Sequence, residues 1–304
     1  MKTAILKASV EFIEQPFLKP MQISSGLIGQ ATEARVTVSV STGKKEGVGR
    51  GSIYLSDLWA WPGGALDRRA KDAAMRGLCR ELASSLARHC GSEEMHPLEL
   101  GLRLHHAANG LLPEMPPLAK SVCMSPFDAA IHDAAGIALG KSAFSFYAGN
   151  EVIPSADSLF PGTGAVRAIR QTVRSPVRTL DAWWIVGAND NLENDVRPAV
   201  AKRGIRCFKL KALGRDNLAD AARTAEVYRA ARGWGLSPVL SIDTNEGSPD
   251  VAAVWDYLAR LEAMDPEAYA AVAYLEQPTS RDLVGSPQDW RALGGRKPVL
   301  LDEG

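Results

Sequence analysis

Four short polar clusters close apolar runs in the second half of this 304-residue chain: Lys209-Leu210-Lys211, Asp243-Thr244-Asn245, Glu276-Gln277-Pro278 and Asp302-Glu303. From 211 to 243, from 243 to 276 and from 276 to 302 the intervals are 32, 33 and 26 residues. Each is the length of one strand, one helix and the turns between them. A chain that repeats such a unit builds a parallel sheet with helical crossovers, and barrels of this kind carry their chemistry at the carboxyl ends of the strands. The spacing therefore predicts an α/β protein in which three carboxylates and two lysines converge at one barrel mouth.

The runs themselves support strands. Ile205 to Lys211, Pro238 to Asp243, Val272 to Glu276 and Pro298 to Asp302 are short and mostly apolar, as strands buried on both faces should be, and each ends in charge. Between them, Leu218 to Arg232 reads as a helix with Asn217 as N-cap, Gly233 as stop and a buried face of Leu218, Ala221, Ala222, Ala225, Tyr228 and Ala231. Ser248-Pro249-Asp250 opens the next helix, whose buried stripe is Val251, Val254, Trp255, Leu258 and Leu261. Ser286-Pro287 begins a shorter helix that runs through Trp290 and Leu293 and ends at Gly294.

Singly, the clusters are ordinary: a solvated lysine pair on an edge, a turn before a glycine, a strand terminus. Together they carry chemistry. Strand alternation puts Lys209 and Lys211 on one face, where two partly desolvated ammonium groups are expected to depress each other's pKa and leave one available as a neutral base. Three carboxylates at one mouth repel unless a cation holds them, and an all-oxygen donor set suits Mg²⁺ better than Zn²⁺.

In these residues the chain resembles the enolase superfamily, in its mandelate racemase and muconate lactonizing enzyme branch. The resemblance extends over nearly the whole chain, because Ser125 to Lys141 is similar to the helix that links that family's capping domain to its barrel. It implies an N-terminal α+β capping domain (residues 1–145) followed by the first part of an enolase-type (β/α) barrel (146–304). It further implies Asp243, Glu276 and Asp302 as Mg²⁺ ligands, Lys211 as the base that exchanges a proton alpha to a carboxylate, and Lys209 as its electrostatic partner. Asn245 matches a residue that contacts the substrate carboxylate. Glu303 adjoins the last ligand, and Gly304 stands where the family commonly has serine. The implied reaction passes through an ene-diolate, in a racemase or epimerase, a cycloisomerase or an acid-sugar dehydratase. The partner is a small carboxylate substrate, and the full-length protein is expected to be a homo-oligomer.

The chain stops at Gly304, just after the fifth such strand, whereas a barrel has eight strands in typically about 250 residues. The second catalytic group that the family keeps on its sixth or seventh strand is absent. The chain is therefore expected to be a truncated form of a parent enzyme, prone to aggregate along a bare parallel edge and without turnover of its own. The alternative is a non-catalytic relative that binds metal or a partner. A third reading, an unrelated barrel lyase with Lys209 or Lys211 as a Schiff-base amine, stays open to borohydride trapping.

The first half reads as a separate cap: strands at Ile5 to Phe12 and Ala34 to Val40, a turn at Ser41 to Gly47 leading to a third strand near Val48, and helices at Arg69 to Arg88 and Ser125 to Leu139. Two loops, Phe17 to Gly29 and Ile53 to Gly64 with Trp59 and Trp61, correspond to the family's substrate-sorting lids, although packing serves the tryptophans equally well. Gly136 to Ser142 has three residues between its glycines where a phosphate loop needs four. Gly47-Val48-Gly49-Arg50-Gly51 reads as a bulge or turn, and His132 as a structural histidine.

Composition fits an ordinary globular enzyme, 46% hydrophobic and 23% charged. Thirty-five basic residues balance 35 acidic ones, giving no electrostatic reason to expect nucleic acid or anionic lipid as a partner. Cys79, Cys90, Cys123 and Cys207 form no Cys-x-x-Cys pair, and no long apolar span or signal peptide is evident, so a cytoplasmic protein with reduced thiols is expected.

Overall fold

Apolar and polar side chains alternate along three early strands, and that alternation builds one sheet. In the computed structural model, which describes residues 2–23, 26–148, 157, 160–175 and 177–303, β1 (Ala4–Ile23), β2 (Gly26–Thr42) and β3 (Lys45–Leu55) lie in the order β1-β2-β3. β2 and β3 are antiparallel, from Thr32 opposite Leu55 to Thr42 opposite Lys45. Ala34, Val36, Val38 and Val40 turn inward and are buried. The stretch from Phe17 to Gly29, expected as a loop, is strand up to Ile23 and again from Gly26; Ser24 and Ser25 lie outside the described residues.

Four helices follow: α1 (Asp57–Ala60), α2 (Arg68–Cys90), α3 (Pro97–Asn109) and α4 (Pro117–Leu139). Their apolar faces and the sheet enclose one core around Met75, Leu78, Leu82, Leu100, Phe127 and Ile131. Gly47, Gly49 and Gly51 sit in register on β3, so the expected bulge or turn is instead a continuous strand. Their reason is close approach: a Cβ would lie 2.1 Å from Ala134 O at Gly47, from Ala134 N at Gly49 and from Pro126 O at Gly51. Three alternate glycines thus form a groove that seats α4 directly on the strand. Gly140, left-handed at φ 65°, caps α4, as its place after a helix suggests. His132 is held between the Asp128 carbonyl and the Tyr147 hydroxyl, in a structural role.

After α5 (Ala165–Thr172), a second sheet takes over. β4 (Trp183–Val186), α6 (Arg197–Arg203), β5 (Cys207–Lys211), α7 (Asn217–Gly233), β6 (Val239–Asp243), α8 (Val251–Met264), α9 (Pro266–Ala271), β7 (Val272–Glu276), α10 (Arg291–Gly294) and β8 (Val299–Leu300) alternate along the chain. The five strands are parallel and in sequence order, β4-β5-β6-β7-β8. Helix details differ from expectation. Asp216, not Asn217, caps α7, and Leu218 is 54% exposed while Thr224 and Val227 are buried. Asp250 caps α8, leaving Pro249 outside it, and residues 286–290 are not helical. No helix among the described residues is long and apolar enough to cross a membrane.

The chain groups into two compact units, Met1–Pro16 with Gln30–Pro176 and Phe17–Gly29 with Val177–Gly304.

Candidate active site

Parallel register brings the charged strand ends side by side. Lys211 on β5 pairs with Asp243 on β6, Asp243 with Glu276 on β7, and Glu276 with Leu300 on β8. One pleat repeat deeper on the same face, Ile185, Lys209, Ser241 and Tyr274 form a second row. Asp243 is fully buried and Glu276 is 6% exposed.

The side chains form one network. Lys211 Nζ donates to Asp243 Oδ2 at 2.5 Å and to Asn245 Oδ1 at 2.8 Å. Lys209 Nζ lies 2.9 Å from Asp243 Oδ2 and also donates to Glu276 Oε1. Asn245 Nδ2 donates to Glu303 Oε1 at 3.0 Å, and its backbone N–H donates to Asp243 Oδ1 at 2.9 Å. The backbone bends sharply to make this possible: Asn245, Glu246 and Gln277 are non-glycine residues with φ of 43°, 67° and 34°. Such left-handed conformations cost roughly 1–3 kcal/mol each and gather at functional sites.

Every sequence-predicted site residue lies at this end of the sheet, but the last two acids differ from one another. Asp302 is exposed and reaches the network through its backbone N–H, bonded to Gln277 Oε1 at 2.9 Å. Glu303 is 5% exposed and bonds Asn245. Sequence reasoning gave no role to Gln277, although it stands inside the Glu276-Gln277-Pro278 cluster.

The electrostatics correct one expectation. Burial pushes the Lys209 ammonium down, but Asp243 and Glu276 outweigh it and hold its pKa above the ordinary lysine range. Two carboxylates closer than the neighbouring lysine decide the sign, so Lys209 stays a cation. Glu276 is pushed above the usual carboxylate range by burial, with the charges of Asp243 and Asp302 adding to it against Lys209.

Two buried carboxylates that share a single ammonium form a site for positive charge. As they stand, no three acidic, histidine or cysteine side chains close on a common point among the described residues. Asp243 and Glu276 nevertheless face each other on adjacent strands, and Asp302 is near enough for its charge to act on Glu276. The donors are all oxygen, the kind a hard divalent ion takes, so the residues fit Mg²⁺ in kind.

Beside this network, residues 17–22 and Leu27 face the end of β4 across a cavity of ≈ 530 Å³, which Ile185 also lines. Lys19 pairs with Asp195, and with Asp190 at 3.1 Å. The other expected lid segment packs instead: Trp61 is buried, Trp59 rests on the cap core, and Lys71 Nζ donates to the carbonyls of Trp61 and Gly63.

No protein-family model and no curated protein matches the sequence. Solved structures do match. An enolase from Bradyrhizobium, complexed with magnesium and mandelic acid, is 20% identical over 99% of this chain and 67% of its own, with a TM-score of 0.60. A dipeptide epimerase from Enterococcus faecalis, complexed with Mg and L-Leu-L-Tyr, is 19% identical over 100% of this chain and 68% of its own, with a TM-score of 0.58. A muconate lactonizing enzyme from Pseudomonas fluorescens, complexed with muconolactone, is 17% identical over 99% and 67%, also at 0.58. The chain thus spans about two thirds of the length of the structures it matches. It shares their fold, an enolase-type capping domain followed by part of a (β/α) barrel.

Proposed function

We propose that this chain carries the Mg²⁺-binding and lysine side of an enolase-superfamily site, which removes a proton alpha to a carboxylate. The observation that supports it most is the in-register row Lys211–Asp243–Glu276 with Lys209 beneath, two carboxylates and two lysines in one desolvated network. Buried charges at this density are costly for stability alone, and such clusters point to chemistry.

Asp243, Glu276 and Asp302 would hold the ion, with Glu303 beside them. When bound, Mg²⁺ offsets the negative charge that builds on the substrate carboxylate as the α-proton leaves. The chain's own residues do the rest. Lys211 Nζ, held by Asn245, receives the α-proton after giving up one of its own. Lys209, kept cationic by its carboxylates, adds fixed positive charge in a water-poor site. Asn245 orients the substrate carboxylate through its amide. Racemases or epimerases, cycloisomerases and dehydratases share this first step and diverge afterwards; the matched structures with mandelic acid, a dipeptide and muconolactone span that range.

The test is solvent exchange. Small carboxylates incubated in D₂O with Mg²⁺ should gain deuterium at the α-carbon, and Lys211→Ala should slow this by at least ~100-fold, the usual worth of a positioned base. Exchange that survives the substitution assigns the base elsewhere.

A further inference from the structure

Gln277 is the least conspicuous polar residue in the site and the most connected. It is 1% exposed, and its backbone N–H donates to Leu300 O while its carbonyl accepts from Glu246 N, both at 2.8 Å. Its side-chain Oε1 accepts two further N–H groups, those of Asp302 and Glu303, each at 2.9 Å. Its Nε2 donates to Thr279 O at 3.0 Å. One residue thus ties the ends of β6, β7 and β8, the three strands whose tips carry the acids.

A left-handed φ of 34° accompanies this arrangement, in a residue type that gains nothing locally from that conformation. On a regular strand the residue after Glu276 would turn its side chain to the opposite face and leave the Asp302 and Glu303 amides without an acceptor. Buried amides without acceptors are expensive, so the twist at Gln277 is offset by the two hydrogen bonds it permits.

We propose that Gln277 is a positioning residue that sets the acids after β8 against Asp243 and Glu276, by clamping the Asp302 and Glu303 amides to the end of β7. The proposal rests on the reading of these acids as a metal site. Gln277 touches neither substrate nor ion in this scheme; it acts through the backbone of the residues it holds.

Two substitutions separate its parts. Gln277→Met keeps length and backbone strain but removes the acceptor, whereas Gln277→Glu keeps two acceptor oxygens and loses only the donation to Thr279. In the whole chain without metal, amide exchange at Asp302 and Glu303 should be at least ~10-fold faster in Gln277→Met and near the parent rate in Gln277→Glu. Calorimetric titration with Mg²⁺ alone should show affinity at least ~10-fold weaker in Gln277→Met and restored by Gln277→Glu, a rescue that a general packing role does not give. Unchanged protection of both amides in Gln277→Met overturns the clamp. Normal Mg²⁺ affinity in that variant, with its amides unprotected, overturns the positioning role. If Gln277→Met fails to fold, weak amide protection in a folded Gln277→Glu counts against the proposal and parent-like protection supports it. Absence of Mg²⁺ binding by the unsubstituted chain contradicts the metal reading and the positioning role with it, while amide exchange still tests the clamp separately.

Discussion

Gly49 and Gly77 show how differently two glycines can serve one domain. A Cβ on Gly49 would meet the backbone of α4, whereas one on Gly77, exposed within α2, meets nothing within 4 Å. Gly49→Ala is expected to cost at least about 1–3 kcal/mol through forced separation of strand and helix. Gly77→Ala should stabilise by roughly 0.5–1 kcal/mol through helix propensity. Chemical denaturation of the two variants checks both signs, and equal effects would contradict the close-packing account. At the same scale, Asp302 and Glu303 show a limit of sequence reading. Adjacent residues on an extended chain point to opposite faces, so a one-residue ambiguity in register decides which acid is buried. The pattern gave Asp302; in the structure Asp302 lies exposed and Glu303 is the buried one. Lys209 shows another limit, since its charge state depends on carboxylates distant in sequence whose proximity only the fold supplies.

Among the elements, helix α7 is held by a cap that the sequence pattern shifted by one position. Asp216 accepts from the N–H groups of Leu218 and Ala219, while Asn217 reaches across to Ala253 O and Asp256 on α8. Asp216→Ala should therefore cost about 0.5–2 kcal/mol in thermal or urea unfolding. An unchanged midpoint would show that the cap contributes nothing. Strands β5 to β8 were legible because each is an apolar run with a charged end, a pattern that only a buried strand opening onto a polar mouth explains. β4 was not, because Trp183 and Ile185 are partly exposed, and nothing at its end repeats the charged signature. Helix α3 was missed as well. His105, His106 and Arg103 interrupt its apolar stripe, which rests on Leu100, Leu104 and Ala108. The long β1–β2 hairpin was read as a loop, because its polar, proline-bearing sequence lacks clean alternation.

Across the whole molecule, two cores and a charged sheet end divide the work between stability and chemistry. All four cysteines are buried and free. Burial pushes Cys90 up to about 12; the Cys79 thiol and then burial raise Cys123, and burial raises Cys207. Because the thiolate is the reactive form, native protein at pH 8 should resist alkylation at Cys90, Cys123 and Cys207, and all should label once unfolded. Rapid native labelling would contradict the packing described for both cores.

The claim that joins the two halves of the account is that Asp243 and Glu276 are gathered to hold a divalent cation. Calorimetric titration of the purified chain with Mg²⁺ tests it most directly. One saturable site per chain is expected, weakened at least ~10-fold by Asp243→Asn, since loss of one charged ligand in a buried all-oxygen site removes both a donor and the charge that favours the ion. Absence of saturable binding, or binding that Asp243→Asn leaves unchanged, would contradict the metal-assisted reading of this site.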